Sequence, residues 1–410
     1  MRQAVSARWH NRRMNPSRAR PAGTRPPRLP RLHLPAGLDA AGFMRRYWQQ
    51  RPLLIRGAFA AGPGACDALP LSPDALFALA ARDDVESRLV RGQGRNWSLA
   101  HGPFERLPLA ARTPWTVLVQ GVNLHAAAAD RLLRCFDFIS AARLDDLMVS
   151  YASDGGGVGP HFDSYDVFLI QIHGKRRWRI AENCPRTLVE GMPLKILAEF
   201  RAEQEWLLEP GDLLYLPPHY AHEGTAVGPC MTASVGFRAP GNAELASEFL
   251  HDLADRLELP GRYADPKRPA TARPARLDDH LIDALAVNLA RVRWRRADLT
   301  AFLLRHLSEP KPQVFFEPPR RGLAAVAWER RARHAGLCLS ARSIMLYRGA
   351  IVCINGEMVT ASTAAQAWLR RLADRRVLTP ADCAAALAVA DLGPLLREWH
   401  AAGWVEWPAD

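Results

Sequence analysis

From Asp146 to Arg238 the sequence reads as apolar strands separated by turns at Gly155-Gly156-Gly157, His173-Gly174-Lys175 and Glu209-Pro210-Gly211-Asp212, and the pattern stops at Arg238-Ala239-Pro240. Beyond that point Ala243 to Leu257, Asp278 to Val292 and Asp298 to Leu307 carry apolar residues at three- and four-residue spacing, the mark of amphipathic helices. A polar break from Pro260 to Pro274 divides the first helix from the others. Strands segregated from helices in this way predict an α+β protein, with any site built on the strand-rich unit.

The flanks fit a chain too long for one core. At 410 residues two or three packed units are expected. Upstream, Ala40 to Gln49 reads as a helix, Pro52 to Arg56 as a strand, and Trp115 to Gly121 as an apolar strand closed by glycine. Downstream, Ile344 to Arg348 and Ile351 to Ile354 read as strands, with Asn355-Gly356 a hairpin signal. Helices over Ala361 to Ala373, Pro380 to Ala388 and Leu392 to Ala402 follow, with Trp404 to Trp407 as a closing strand, an order that suits a winged-helix-like module.

The formal charge of +12 suggests a nucleic-acid binder until it is located. Residues 1–35 hold nine arginines and no acid, and without them the balance falls to +3. This Arg/Pro-rich tail cannot bury enough surface to fold; it is expected to be disordered, with translation starting at Met14 as an alternative, and it could make weak contact with RNA. Seven scattered cysteines without a Cys-x-x-Cys pair argue against a disulfide framework or a zinc ribbon and for a reducing, cytoplasmic setting. No apolar stretch is long enough for a membrane span.

Chemistry concentrates in Gly155-Gly156-Gly157-Val158-Gly159-Pro160-His161-Phe162-Asp163-Ser164-Tyr165-Asp166. Residues two apart on a strand face the same way, so His161 and Asp163 can present an imidazole and a carboxylate to one point. Among 13 histidines such a pair is weak by itself. Leu213-Leu214-Tyr215-Leu216-Pro217-Pro218 then delivers two candidate third ligands, His219 and His222. Two histidines and one carboxylate leave three open positions, the arrangement that suits non-haem Fe(II) with a cosubstrate and O2. In Lys175-Arg176-Arg177-Trp178-Arg179-Ile180, alternation puts Arg176, Trp178 and Ile180 on one, inward face. A buried Arg176 would fit the far carboxylate of 2-oxoglutarate, with an internal salt bridge as the structural alternative. Ser150 is a candidate hydroxyl donor to the same carboxylate; Thr232 and Ser234 are weaker ones.

Over these residues the sequence resembles the JmjC-type ribosomal oxygenases, specifically the bacterial arginine hydroxylases of large-subunit ribosomal protein sixteen. The likeness runs from Gly155 to Arg179, returns from Glu209 to Gly224 and in Ser234-Val235-Gly236-Phe237-Arg238-Ala239-Pro240, and extends over roughly residues 36–408. It implies a double-stranded β-helix, the cupin/JmjC jelly-roll barrel, over 36–240, a helical dimerisation region over 241–310 and a winged helix over 311–410. It further implies Fe(II) on His161, Asp163 and His222, 2-oxoglutarate held by Arg176 with Ser150, O2 as co-reactant, a homodimer, and a ribosomal-protein substrate. The Thr232-Ala233-Ser234 segment and the basic leader depart from the family pattern.

Hydroxylation would accompany oxidative decarboxylation of the oxoacid to succinate and CO2, the protein supplying orientation and a dry pocket. Rivals are a histidyl hydroxylase of another ribosomal protein, a lysine demethylase that would release formaldehyde, a metal-dependent cupin that uses no oxoacid, and a non-catalytic cupin with a nucleic-acid-binding winged helix. Against the last, Ala361 to Ala373 offers only Arg370 and Arg371, too little for a DNA-reading helix.

Overall fold

A computed structural model describes residues 30–62, 65–66, 68–94 and 96–408. Most of the expected basic tail, residues 1–29, lies outside the described residues. Residues 30–35, expected to belong to that tail, instead lie on the protein: Leu32 and Leu34 pack on the main core and the His33 N–H donates to the Ala58 carbonyl at 2.9 Å.

Ten strands form one antiparallel sheet. In chain order they are β1 (Leu53–Ile55), β2 (Ser87–Gln93), β3 (Asn96–His101), β4 (Trp115–Val119), β5 (Leu144–Ala152), β6 (His161–Phe162), β7 (Asp166–Ala181), β8 (Gln204–Leu208), β9 (Leu213–Leu216) and β10 (Ala221–Phe237). The two long strands give the sheet its shape. The first half of β7 lies between β9 and the second half of β10, which continues through β5 to β4, β2 and β3. The second half of β7 lies between β8 and the first half of β10, which pairs with β6 on its other side. Two facing layers are thereby made from strands that pass through both, the jelly-roll arrangement.

The passage between layers is made at His173-Gly174-Lys175, expected from sequence to be a turn between separate strands. Instead β7 runs unbroken for 16 residues and bends there. Gly174 has φ +62°, and a Cβ on it would meet the Pro229 carbonyl oxygen at 2.2 Å, so only glycine fits. Opposite it, β10 shifts register between Val227 and Met231 around Gly228, at φ +70°, and the two strands bend together.

Alternation then sorts the side chains. Met231, Ala233, Val235, Phe168, Ile170, Leu147 and Val149 point outward into a core shared with the helices Ala40–Arg46, Pro73–Ala80 and Ala127–Arg134. Val167, Leu169, Leu214, Leu216, Trp178 and Ile180 point into the barrel. The expected helices beyond Pro240 form over Asn242–Asp255, Asp279–Leu289 and Arg296–Ser308. The second buries none of its residues and exposes Ile282, Leu285, Val287 and Leu289.

The last unit is a winged helix. Short strands Leu337–Leu339, Val377–Leu378 and Val405–Glu406 pair together, and Met345–Arg348, Ile351–Ile354 and Glu357–Val359 form a meander. Asn355 at φ +51° and Gly356 at φ +85° make the expected hairpin. The helix Ala325–Ala335 was not foreseen; its Trp328 and Ala332 are fully buried in the core that also holds Leu396 and Trp399.

Candidate functional site

The His-x-Asp spacing and the β6 to β10 pairing bring the site together. His161 on β6 is the register partner of His222 on β10, which on its other side pairs with Ile180 of β7. One ligand-type atom from each of His161, Asp163 and His222 lies within 4.8 Å of the others. The imidazole centroids of His161 and His222 are 4.2 Å apart, and His222 Nε2 is 3.6 Å from Asp163 Oδ2. The Nδ1–H of His161 donates to the Gly159 carbonyl at 3.0 Å, and that of His222 to the Tyr220 carbonyl at 2.9 Å. A carbonyl can only accept, so each ring keeps its Nε2 lone pair free, the tautomer a metal requires. Burial, and then the neighbouring His161, push the His222 pKa down to about 4, which keeps that lone pair unprotonated. The donor set therefore fits a divalent transition metal.

The other acids of the motif are engaged elsewhere. Asp166, fully buried, accepts from Tyr215 Oη at 2.6 Å, Gln49 Nε2 at 2.9 Å and Arg143 Nη2 at 3.3 Å, so it fixes the start of β7. Glu223 is paired with Arg179 on the far face of the sheet. His219 stands outside the cluster, exposed on the loop after the two prolines.

Arg176 is 3% exposed, and Trp178 and Ile180 are buried beside it as alternation predicts. The guanidinium donates through Nη1 to Ser150 Oγ at 3.4 Å and through Nη2 to the Gly224 carbonyl at 3.1 Å, and lies 5.1 Å from the Trp178 ring. Its Nε and the Trp178 Nε1 have no partner among the described residues, and no carboxylate pairs with the cation. The internal salt bridge considered as an alternative is therefore absent from the described residues. Burial alone lowers the Arg176 pKa, and Gly224 makes the burial feasible: a Cβ there would lie 2.6 Å from Arg176 Nε and 2.8 Å from the Trp178 ring.

Ser150, Thr232 and Gln171 form a row across β5, β10 and β7 beside the guanidinium. Thr232 Oγ1 donates to Gln171 Oε1 at 2.9 Å, so its hydroxyl is occupied. Gln171 was missed in the sequence, although a fully buried glutamine within Val167-Phe168-Leu169-Ile170 and Ile172 is a signal of its own.

Also missed were Asp146 and Tyr165, which meet across Gly236. Asp146 is 8% exposed and accepts only the Gly121 N–H at 3.0 Å, with no cation at ion-pair distance among the described residues. Its neighbour Asp145 takes Lys311 at 2.8 Å and Arg238 at 3.5 Å. Burial raises the Asp146 pKa. Burial, then Asp163, then Asp146 raise that of the Tyr165 phenol. The Cβ that Gly236 lacks would stand 3.9 Å from both Asp146 Oδ1 and Tyr165 Cε2, so the glycine keeps a slot open there. Asp146 also lines a cleft of about 680 Å3 between the barrel rim and the winged helix, to which none of His161, Asp163, His222 or Arg176 contributes.

Fold and site together define a JmjC-type barrel carrying a two-histidine, one-carboxylate cluster. Residues 131–245 match the JmjC domain family, and residues 291–406 the ROXA-like winged helix. A ribosomal protein uL16 3-hydroxylase of Escherichia coli strain K12 is 43% identical over 245 residues, 58% of this chain and 63% of that protein. An X-ray structure of E. coli ycfD is matched with a TM-score of 0.79 at 32% identity, over 92% of this chain and 100% of the other. YcfD described as a ribosomal oxygenase in complex with cobalt and 2-oxoglutarate is matched at 0.76 and 32%, over 93% and 100%. In the sequence comparison the chain thus spans just under two thirds of its curated relative's length. The chain belongs to the JmjC-type ribosomal oxygenases.

Proposed function

We propose that this protein is an Fe(II)- and 2-oxoglutarate-dependent hydroxylase that converts an arginine of large-subunit ribosomal protein sixteen, uL16, to its 3-hydroxy form. The observation that carries the reading is a buried guanidinium without a carboxylate partner among the described residues, inside the same barrel as the His161, Asp163 and His222 cluster. Arg176 reaches back to the Gly224 carbonyl, two residues along β10 from His222, a span of about 7 Å. A five-carbon dicarboxylate fits between them, its far carboxylate taking Arg176 and Ser150.

His161, Asp163 and His222 would hold the iron, which when bound supplies the activation of O2 coupled to decarboxylation of the oxoacid. The chain's own residues do the rest. The carbonyls of Gly159 and Tyr220 fix the imidazole tautomers, Arg176 sets the cosubstrate's orientation, and the apolar wall of Leu169, Leu214 and Leu216 excludes water. Asp146 favours an arginine substrate over a histidine one: a buried carboxylate without a cation among the described residues, across the Gly236 slot from the Tyr165 ring, suits a planar guanidinium.

The exposed apolar residues of Asn242–Asp255 and Asp279–Leu289 support a homodimer through the helical region. The divisions at 36–240, 241–310 and 311–410 are read with it, as is weak RNA contact by the arginine-rich leader. No helix among the described residues is long and apolar enough to cross a membrane, which agrees with a cytoplasmic setting near ribosomes.

The test is incubation of the purified chain with Fe(II), 2-oxoglutarate, ascorbate and a uL16 peptide containing the arginine. The expected result is one added oxygen on that residue with matching succinate, both lost in Asp163→Ala. Succinate-free reactions with arginine- and histidine-bearing peptides alike would refute it.

A further inference from the structure

The loop that delivers His161 is hydrogen-bonded on either side of Gly159 but not at it. The Gly157 carbonyl accepts from Thr116 Oγ1 at 3.2 Å, and the Pro160 carbonyl accepts the Leu197 N–H at 2.9 Å. Gly159 stands between them at φ +76°, and among the described residues its carbonyl accepts only from the His161 ring, at 3.0 Å. Where that carbonyl stands is therefore a matter of packing, and two side chains supply it. A Cβ on Gly159 would lie 2.6 Å from Ile196 Cδ1, and 3.1 and 3.5 Å from Cζ2 and Cε2 of the Trp97 indole.

Trp97 is the second residue of β3, the edge strand of the sheet, and pairs with Gly92. It is half-buried and belongs to none of the apolar clusters among the described residues. Its one polar group is used locally: Nε1–H donates to the Gly94 carbonyl at 2.8 Å, which fixes the indole against its own turn. A tryptophan that fills no core, yet is locked in place against the glycine whose carbonyl orients a cluster histidine, acts on that histidine.

We propose that Trp97 is a positioning residue of the metal site: its indole, anchored in the β2 to β3 turn, holds Gly159 so that the glycine carbonyl keeps the His161 proton on Nδ1. A neutral imidazole can carry its proton on either nitrogen, and a proton on Nε2 would block the metal. The inference rests on the hydroxylase reading for what His161 binds, and on the loop geometry alone for how the ring is held.

The test compares the full-length chain with Trp97→Ala, Trp97→Phe and a control on the same face of the same strand, Leu99→Ala. Nitrogen-15 NMR of the metal-free chains at mildly alkaline pH reads the His161 tautomer, and titration with Co(II) reads metal affinity. Trp97→Ala should let the proton populate Nε2 and weaken Co(II) binding about tenfold, the low end for loss of an outer partner of a metal ligand. Trp97→Phe keeps a ring near Gly159 without the tie to Gly94 and should fall between; if the alanine variant does not fold, the phenylalanine one carries the comparison. Leu99→Ala should lower the melting temperature and leave tautomer and affinity as in the parent. Variants of Trp97 with the parent's tautomer and Co(II) affinity overturn the proposal, as does a Leu99→Ala chain that weakens Co(II) equally, since the hairpin would then act only through the fold. A parent that binds Co(II) but makes no succinate with any peptide overturns the hydroxylase reading alone, and the same comparison still decides the role of Trp97.

Discussion

Replacing Arg176 by methionine separates the needs of the fold from those of the cosubstrate. Taking one ion out of water costs several kcal/mol in a real protein. Against that cost Arg176 sets hydrogen bonds of 3.4 and 3.1 Å and a ring face 5.1 Å away. Such contacts contribute about 3 kcal/mol together, with the longer bond at the weak end of its range. With Nε unpartnered and no carboxylate in reach among the described residues, the cation is a net burden of about 0 to 2 kcal/mol on the ligand-free protein. Methionine, unbranched and adaptable, should fill the space. Melted without 2-oxoglutarate, the metal-loaded variant should therefore equal the parent or exceed it by a few degrees. With 2-oxoglutarate at a hundred times its dissociation constant the parent should gain about 2.7 kcal/mol, and the variant almost nothing, with succinate formation lost. A variant that melts well below the parent without cosubstrate, or that is stabilised by it equally, would show Arg176 to be an ordinary structural residue.

Three further outcomes are expected. Gly224→Ala puts a methyl group 2.6 Å from Arg176 Nε and should raise the KM for 2-oxoglutarate about tenfold or more while the chain still binds metal; steady-state titration of the cosubstrate reads this. Asp146→Asn removes a charge-assisted contact of about 1.5–3 kcal/mol, so the KM for an arginine peptide should rise roughly 10- to 100-fold, and competition between arginine and histidine peptides checks whether the loss is selective. In the metal-free protein His222 stays neutral down to about pH 4, whereas in the unfolded chain it takes up a proton near its ordinary value of 6.5. Unfolding thus binds a proton between those values, and stability should fall as pH drops from 6.5 towards 4, by at most roughly 3 kcal/mol, a fall that His222→Gln should flatten in urea titrations at successive pH values.

What the sequence disclosed follows from the range of the interactions involved. His161 and Asp163 are two residues apart on one strand, and the inward face of Arg176, Trp178 and Ile180 is set by the same period of two, so local geometry was sufficient. The choice between His219 and His222 was not local. It depends on the β6 to β10 register, and in the residues alone the two histidines are equivalent until that pairing exists. The bend at Gly174 was misread for a related reason: a glycine between two alternating runs reads as a turn between strands, and only the matching irregularity at Gly228, more than fifty residues on, converts it into a fold within one strand. Asp146 was illegible because its significance is an absence. Asp145 beside it takes Lys311 and Arg238, and no pattern in Leu144-Asp145-Asp146-Leu147 tells which acid is left without a cation among the described residues.

The bend also accounts for the geometry of the site. His222 and Arg176 lie on adjoining strands of one layer, and their separation is fixed by β-sheet registry rather than by loops. Register partners Ala226 and Arg176 stand four residues from His222, about 13 Å along the strand, and the arginine side chain folds back over roughly half that length to meet the Gly224 carbonyl. A slip of one residue in this pairing would turn Arg176 to solvent and bring a neighbour inward, while a slip of two would keep the face but change the gap by about 7 Å. Gly174 and Gly228 pin the register at one end and the His161 to His222 pairing pins it at the other. Gly174→Ala, whose Cβ would strike the Pro229 carbonyl oxygen at 2.2 Å, should therefore weaken 2-oxoglutarate binding as well as the fold, although Gly174 lies on the strand beyond Arg176 from the metal-type cluster.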